Sequence, residues 1–148
     1  MNLTTRVAWL KTGATVTIAF GAVIAVAAIP ALQAPTALLL DLVYLPLDGA
    51  PSTGGSATRI LSAISGGVLI GWGLMMWLLA TTLYAKEPAL CRKIILTSIV
   101  SWFVVDSSMS IAAGAFLNVV FNVGFLLVFA LPVWKPLELV TDDVQASG

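Results

Sequence analysis

Four long apolar runs decide which folds are open to this chain. Each has roughly the 20 residues that an α-helix needs to cross a bilayer; they are residues 12–29, 60–84, 94–113 and 115–134. Of the 148 residues, 59% are hydrophobic and only 9% are charged, whereas soluble domains carry about a quarter charged residues. The sequence therefore predicts an all-α fold, a four-helix transmembrane bundle that forms one integral membrane domain over residues 1–148.

Short connections join the last three runs. The stretch "AKEPALCRK" separates the second run from the third, and Gly114 alone separates the third from the fourth. Helices joined by such short connections lie antiparallel to each other. We expect two successive hairpins.

The basic residues predict an orientation. If the chain crosses four times, one side receives six of them and the other side receives Arg59 alone; the six are Arg6, Lys11, Lys86, Arg92, Lys93 and Lys135. Cytoplasmic loops carry the excess of Lys and Arg. Both termini, including a tail over residues 135–148, are therefore expected in the cytoplasm.

The first outer loop contains an apolar segment of its own. Residues 36–46, "TALLLDLVYLP", are too few to cross a bilayer and too apolar for a free loop. They predict a short helix that ends at Pro46. This helix either lies in the outer interface or dips part of the way into the membrane.

Polar residues inside the last two runs form the most distinctive pattern. With Gly114 at the turn, an antiparallel hairpin places Asp106 level with Asn122, and Ser110 level with Asn118. Each pair within a helix is spaced i, i+4 and so shares a face, which Ser98 and Trp102 extend toward the cytoplasm. A carboxylate at the bilayer centre costs about 3 kcal/mol, so Asp106 is expected to face the bundle and to bond with amides and hydroxyls.

Two interpretations of this cluster are open. The polar side chains fix the helix register through hydrogen bonds, or they form a site that binds a ligand or relays a proton. Arg59, at the outer start of the second helix, is either a counter-charge for Asp106 or an interfacial anchor paired with Asp41 or Asp48.

The second run carries small residues four positions apart at Ala63, Gly67 and Gly71, to which Gly66 and Gly73 add. Such spacing allows close helix contact, either inside the bundle or at the face of a dimer or a larger complex. Trp72, near the middle of the membrane, either fills a groove between helices or stacks on an apolar ligand.

Several chemistries are unfavoured by the composition. The chain has no histidine, a single cysteine and a net charge of zero. Imidazole and thiolate supply most metal and haem ligands, and histidine most often serves as general acid or base. We therefore assign no catalytic residue, no metal site and no cofactor, regard an enzyme as unfavoured, and exclude nucleic acid as a partner because no basic surface exists.

The motifs "GWGLMMW", "WFVVDSSMSIAAG" and "NVVFNVGF" resemble those of small, four-helix bacterial inner-membrane proteins, broadly DoxX-like in size and layout. The resemblance covers the last three runs. It implies four helices and a bacterial inner membrane, and it implies no activity.

Three functions compete on these grounds. The first is a non-catalytic accessory subunit or packing partner of a larger membrane complex, or a homo-oligomer. The second is a binder or carrier of a small apolar or lipid-like molecule, held in a pocket between the second, third and fourth runs. Trp72 and Trp102 would form its floor, and the segment around Tyr44 its cap. The third is a proton-coupled transporter that uses Asp106.

Overall fold

The computed structural model describes residues 1–137, and all regular secondary structure in this part of the chain is helical. Its helices are α1 (Leu3–Val26), α2 (Ala34–Tyr44), α3 (Ser56–Leu78), α4 (Pro88–Ala112) and α5 (Phe116–Ala130). A π-helical turn, Leu79–Leu83, prolongs α3, and a 3₁₀ turn, Leu131–Val133, prolongs α5. Of the tail predicted at 135–148, residues 138–148 lie outside the described part of the chain.

The four predicted spans are confirmed. With their extensions, α1, α3, α4 and α5 are each long and apolar enough to cross a bilayer. The chain is therefore a multi-pass membrane protein built on a four-helix bundle.

Three of these helices begin earlier than the apolar runs predict, and of these α3 begins at Ser56, four residues early. Helix α1 begins at Leu3 because the Asn2 side chain caps it, accepting a hydrogen bond from the Thr5 amide at 2.9 Å. Helix α4 begins at Pro88, which suits the first helical position. A hydropathy pattern misses such polar first turns, because it registers only the part of the helix that lies in hydrocarbon.

The short outer helix is also present, shifted by two residues. Helix α2 ends at Tyr44 because Leu45 precedes a proline and is disfavoured in the α conformation. The Thr36 hydroxyl donates to the Val23 carbonyl at 3.1 Å, which fastens α2 to the end of α1. The Asp41 carboxylate accepts two bonds from the Gly49 amide, at 3.0 and 3.1 Å, and so folds the following loop back onto α2.

The hydrophobic core occupies one end of the bundle. It combines the first half of α1, the end of α3 with its π turn, the first half of α4 and the end of α5; its members are Leu10, Ala14, Met76, Ala80, Tyr84, Cys91, Ile95, Ile99, Phe129 and Val133. All four spanning helices contribute to it. This end, where the chain begins and α5 finishes, is the closed end.

The opposite half has no comparable core among the described residues. In this half, Ala27 and Ala115 at the helix ends are buried. The other buried residues of the spanning helices are glycines or polar residues: Thr17, Gly21, Ser62, Gly66, Ser107, Ser110 and Asn122. Helices without large apolar side chains between them leave space. This half is the open end.

Close backbone contact joins α1 to α3 along much of their length. A methyl group added at Gly66 would lie less than 3.0 Å from backbone atoms of Gly21 and Ala25, and one added at Gly73 would lie 2.6 Å from the Ile18 side chain. Only glycine permits this approach, as at other tight helix contacts in membranes. The α1–α3 pair therefore behaves as one wall of the bundle.

For Gly67 and Gly71 the predicted packing inside the bundle is wrong, and their alternative role at the face of a dimer or a larger complex stays a prediction. Gly67 and Gly71 face open space, and Ala63 is only half-buried. Helix α3 carries small residues on two adjacent faces, one with Gly66 and Gly73 and one with Gly67 and Gly71. Spacing alone cannot decide which face meets a partner, because that depends on where α1 lies.

Two arginines close the end of α5. The buried Arg6 donates to the Lys135 carbonyl, to the Pro136 carbonyl at 3.3 Å and to the Tyr84 hydroxyl at 3.2 Å. Arg92 donates to the Val133 and Trp134 carbonyls, both at 2.9 Å. Carbonyls after the last helical turn lack partners within the helix, and cations there are favourable. We call this arrangement the arginine clamp.

Substitution of Gly66 tests the α1–α3 contact. Gly66→Ala should lower the free energy of unfolding by about 1–3 kcal/mol, the usual cost of overpacking. The control Gly67→Ala, one position along the same helix, adds its methyl to open space and should change stability by less than about 0.5 kcal/mol. Reversible unfolding in mixed micelles measures both, and equal stability of the two variants would contradict the contact.

Candidate ligand-binding groove

A large groove runs between the helices. Its volume is about 1850 Å³, it is partly open to the side, and its lining is predominantly apolar. Ligand sites for small molecules usually measure about 300–1,000 Å³. All four spanning helices and α2 contribute lining residues, so the groove extends beyond the pocket predicted between the second, third and fourth helices.

Aromatic rings form the floor of the groove, where it meets the core. The ring centroids of Trp72 and Trp102 lie 5.7 Å apart, and those of Trp72 and Phe129 lie 5.4 Å apart. Phe125 continues the cluster, 6.0 Å from Trp102 and 5.9 Å from Phe20. These distances are typical of favourable aromatic pairs. Trp72 and Trp102 both belong to the lining of the groove; their role as the floor of a ligand pocket stays a prediction.

Helix α2 contributes to the outer part of the groove. Thr36, Leu39, Leu40 and Val43 belong to the lining, whereas Tyr44 is exposed and does not. The predicted cap is therefore formed by the face of α2 that precedes Tyr44.

The turn at Gly114 sets the register of α4 against α5. Its φ is +76°, the Ala115 amide bonds to the Ser110 carbonyl at 2.8 Å, and the Gly114 amide bonds to the Ile111 carbonyl at 3.0 Å. This pattern is a Schellman motif, in which glycine adopts the left-handed conformation. Across this turn, the side-chain amide of Asn118 donates to the Ser110 hydroxyl at 2.8 Å, as the sequence predicts.

The predicted partner of Asn122 is wrong. Asn122 is buried, and its side-chain amide donates to the hydroxyl of Ser107, at 3.2 Å, instead of to Asp106. Ser107 and Ser110 are spaced i, i+3, and Asp106 and Ser110 are spaced i, i+4. Both spacings put two residues on one helical face, and only the rotation of α4 about its axis distinguishes them.

Asp106 consequently turns toward the groove. It is half-buried, it belongs to the lining, and Trp102 lies four residues before it on the same helix. Within residues 1–137 its carboxylate makes no hydrogen bond and no ion pair, so the predicted bonds from neighbouring amides and hydroxyls are wrong. The polar residues of the hairpin thus divide into two bonded pairs that join helices and one carboxylate that faces the groove.

Two further predicted site residues lie elsewhere. Ser98 is half-buried and does not belong to the lining. Arg59 is also outside the lining, and the structure shows neither of its predicted ion pairs. Asp41 bonds to the Gly49 amide instead, and Asp48 accepts from the Ala50 amide at 2.9 Å.

Sequence reasoning missed seven polar residues of the lining: Thr5, Thr12, Thr36, Thr58, Ser62, Ser65 and Ser101. Thr58, Ser62 and Ser65 are spaced by four and three residues, so the spacing rule that singled out α4 also places them on one face of α3. The Ser62 hydroxyl already donates to the Thr58 carbonyl at 2.9 Å. Hydroxyls satisfied within their own helix in this way cost little in an apolar setting.

The Trp72–Trp102 contact shows which residues face each other across the groove. Because α3 and α4 are antiparallel, the step of four residues from Trp102 to Asp106 corresponds to a step from Trp72 back to Val68. Ser65 lies within one further turn. Asp106, Val68 and Ser65 all belong to the lining of the groove.

Comparison with known proteins finds no family model, no curated protein and no solved structure that matches the chain. The resemblance to DoxX-like proteins therefore stays a prediction. Residues 1–137 contain no group of three or more His, Cys, Asp or Glu side chains placed to hold a metal ion. The groove is the feature that best indicates a function.

A double-mutant cycle tests the two bonded pairs. Ser110→Ala combined with Asn118→Ala should give a coupling of about 0.6 kcal/mol, the average for hydrogen bonds between membrane helices, and Ser107 with Asn122 should give a similar value. Asp106→Ala combined with Asn122→Ala is the control and should give a smaller coupling. A larger coupling for Asp106 than for Ser107 would restore the partner that the sequence predicts.

Proposed function

We propose that the protein binds a lipid-like or other elongated apolar molecule in the groove, as a carrier or a receptor. The observation that carries the proposal is the groove itself, about 1850 Å³ in volume and lined by all four spanning helices and α2. A bundle that served only as a membrane anchor has no need of a core confined to one half.

Selectivity in such a site must arise from shape and polar contacts. Lipid tails are as apolar as the leucines of a helix, so the hydrophobic effect hardly distinguishes the ligand from the surrounding bilayer. The aromatic floor provides shape, because rings hold a fixed surface at little entropic cost. Asp106 provides a polar contact that acyl chains cannot satisfy.

We infer that the open half faces outward and that both termini are cytoplasmic in a bacterial inner membrane. The support is the charge pattern: Arg6, Lys86, Arg92 and Lys93 lie at or near the closed end, and Arg59 lies at the opposite end. Lys and Arg favour the cytoplasmic side. In this orientation, the groove exchanges its ligand with the outer leaflet.

Cysteine labelling tests the orientation. In a Cys91→Ser background, Ser52→Cys places a thiol in the exposed loop before α3, and Lys86→Cys places one in the exposed loop before α4. We expect a membrane-impermeant maleimide to label Ser52→Cys in intact cells and to label Lys86→Cys only after lysis. The reverse pattern would overturn the orientation.

A second candidate function is the accessory subunit that the sequence favours. Its support is an exposed face of α3 with heptad-like spacing, formed by Ile60, Ile64, Gly67, Gly71, Leu74 and Leu78. Gly67 and Gly71 leave open space there, as a close helix partner would require. Loss of a co-purifying protein on Gly67→Leu, with ligand content unchanged, would favour this function. Proton-coupled transport stays a prediction that rests on Asp106 alone.

A matched pair of substitutions tests ligand binding. Val68 lines the groove, and Val100 is an exposed residue of α4 outside it. Val68→Trp should fill part of the groove and remove most of the molecule that the protein retains on gentle solubilisation, while Val100→Trp should leave its amount unchanged. Native mass spectrometry of protein released from nanodiscs counts the retained molecules. Equal retention by both variants, or no retained molecule in the wild type, would contradict the proposal.

A further inference from the structure

We propose that the groove selects amphiphiles whose headgroup is a cationic amine or quaternary ammonium, with Asp106 as its counter-ion. This inference rests on the proposed function and names the ligand class of the same site. It follows from the charge of the lining, from the position of the indole rings and from the length of the groove.

The first observation is the charge of the lining. Asp106 is the one ionisable side chain among the described residues that line the groove, and no Lys or Arg lies among them. An ionised carboxylate only accepts hydrogen bonds, so its natural partner is a cation or another strong donor. Anionic headgroups such as phosphates and carboxylates would meet like charge and no compensating base.

The second observation is the set of indole rings beside the carboxylate. Trp102 lies one helical turn from Asp106 on the same side of α4, and its ring contacts that of Trp72 at 5.7 Å. Indole faces attract ammonium groups, and quaternary ammonium sites combine such rings. Within residues 1–137, Lys11 lies 4.8 Å from the centroid of a Trp77 ring, and no cation lies over the ring of Trp72 or Trp102.

The third observation is the shape of the space around Asp106. Along α1 the lining extends from Thr5 to Ile24, a distance of roughly 28 Å at about 1.5 Å per residue. Asp106 lies six residues before the end of α4 at Ala112, roughly 9 Å inside the membrane by the same rise. An amphiphile can therefore place its charged group at Asp106 and extend a long chain over the apolar lining.

Uncharged polar headgroups fit less well. The hydroxyls of Ser65 and Ser101 lie in the same lining, but a hydroxyl ligand would leave the carboxylate with one neutral hydrogen bond. An ammonium group adds direct charge–charge attraction to the carboxylate, which a neutral hydroxyl cannot supply. The ordering expected is ammonium above alcohol above sulfate.

The experiment uses three probes with one tail: decyltrimethylammonium, decanol and decyl sulfate. The full chain is placed in nanodiscs of zwitterionic phosphatidylcholine, and saturable binding is measured by native mass spectrometry. We expect the ammonium probe to bind wild type at least about tenfold more tightly than the sulfate probe, as a charged contact of this kind provides. Equal affinity for these two probes would overturn the inference.

Variants assign the selectivity to Asp106. Asp106→Asn should weaken binding of the ammonium probe about tenfold and leave decanol binding unchanged. Glu87→Gln, which neutralises an exposed carboxylate outside the groove, is the control and should change neither. An Asp106→Asn variant that keeps its preference for ammonium would overturn the inference even when the groove binds ligands. Should Asp106→Asn fail to fold, the comparison of the three probes on wild type still decides.

The two proposals fail in different ways. If wild type binds decanol and decyl sulfate but shows no preference for the ammonium probe, the groove is a ligand site and the headgroup class is wrong. If none of the three probes binds saturably, the proposed function fails and the inference fails with it.

Discussion

The glycine contact between α1 and α3 determines where the remaining helices can lie. With Gly21 against Gly66, and Gly73 against Ile18, the two backbones approach so closely that α3 is held to α1 along much of its length. Helix α4 follows α3 after a short connection and meets it in the core of the closed end. In the other half, α3 stays with α1 while α4 pairs with α5 through Asn118 and Asn122. The groove is the space between these two pairs.

The polar residues of the membrane interior share two tasks. Asn118 and Asn122 donate to serine hydroxyls, which fixes α4 against α5 and satisfies groups that would be costly if left unbonded in lipid. Asp106 takes no part in these bonds and faces the groove. A carboxylate that contributes nothing to helix packing is expensive to hold in a membrane, and this expense is the reason to connect it with a ligand.

The sequence predicts helix number and type well, because apolar run length is fixed by bilayer thickness. It also predicts the Ser110–Asn118 bond, since Gly114 fixes the turn. It fails wherever rotation of a helix about its axis decides the outcome: Asn122 with Ser107 in place of Asp106, and Gly66 in place of Gly67. Neighbouring residues differ by only about 100° on a helix. That difference is set by contacts with other helices, which spacing within one helix does not contain.

The arginine clamp has a consequence for biogenesis. The Lys135 carbonyl to which Arg6 bonds is synthesised 129 residues after Arg6 itself. Until the last helix inserts, the guanidinium must remain among water and lipid headgroups, because burial without a partner is costly. The docking of α5 is therefore the event that seals the first helix into place.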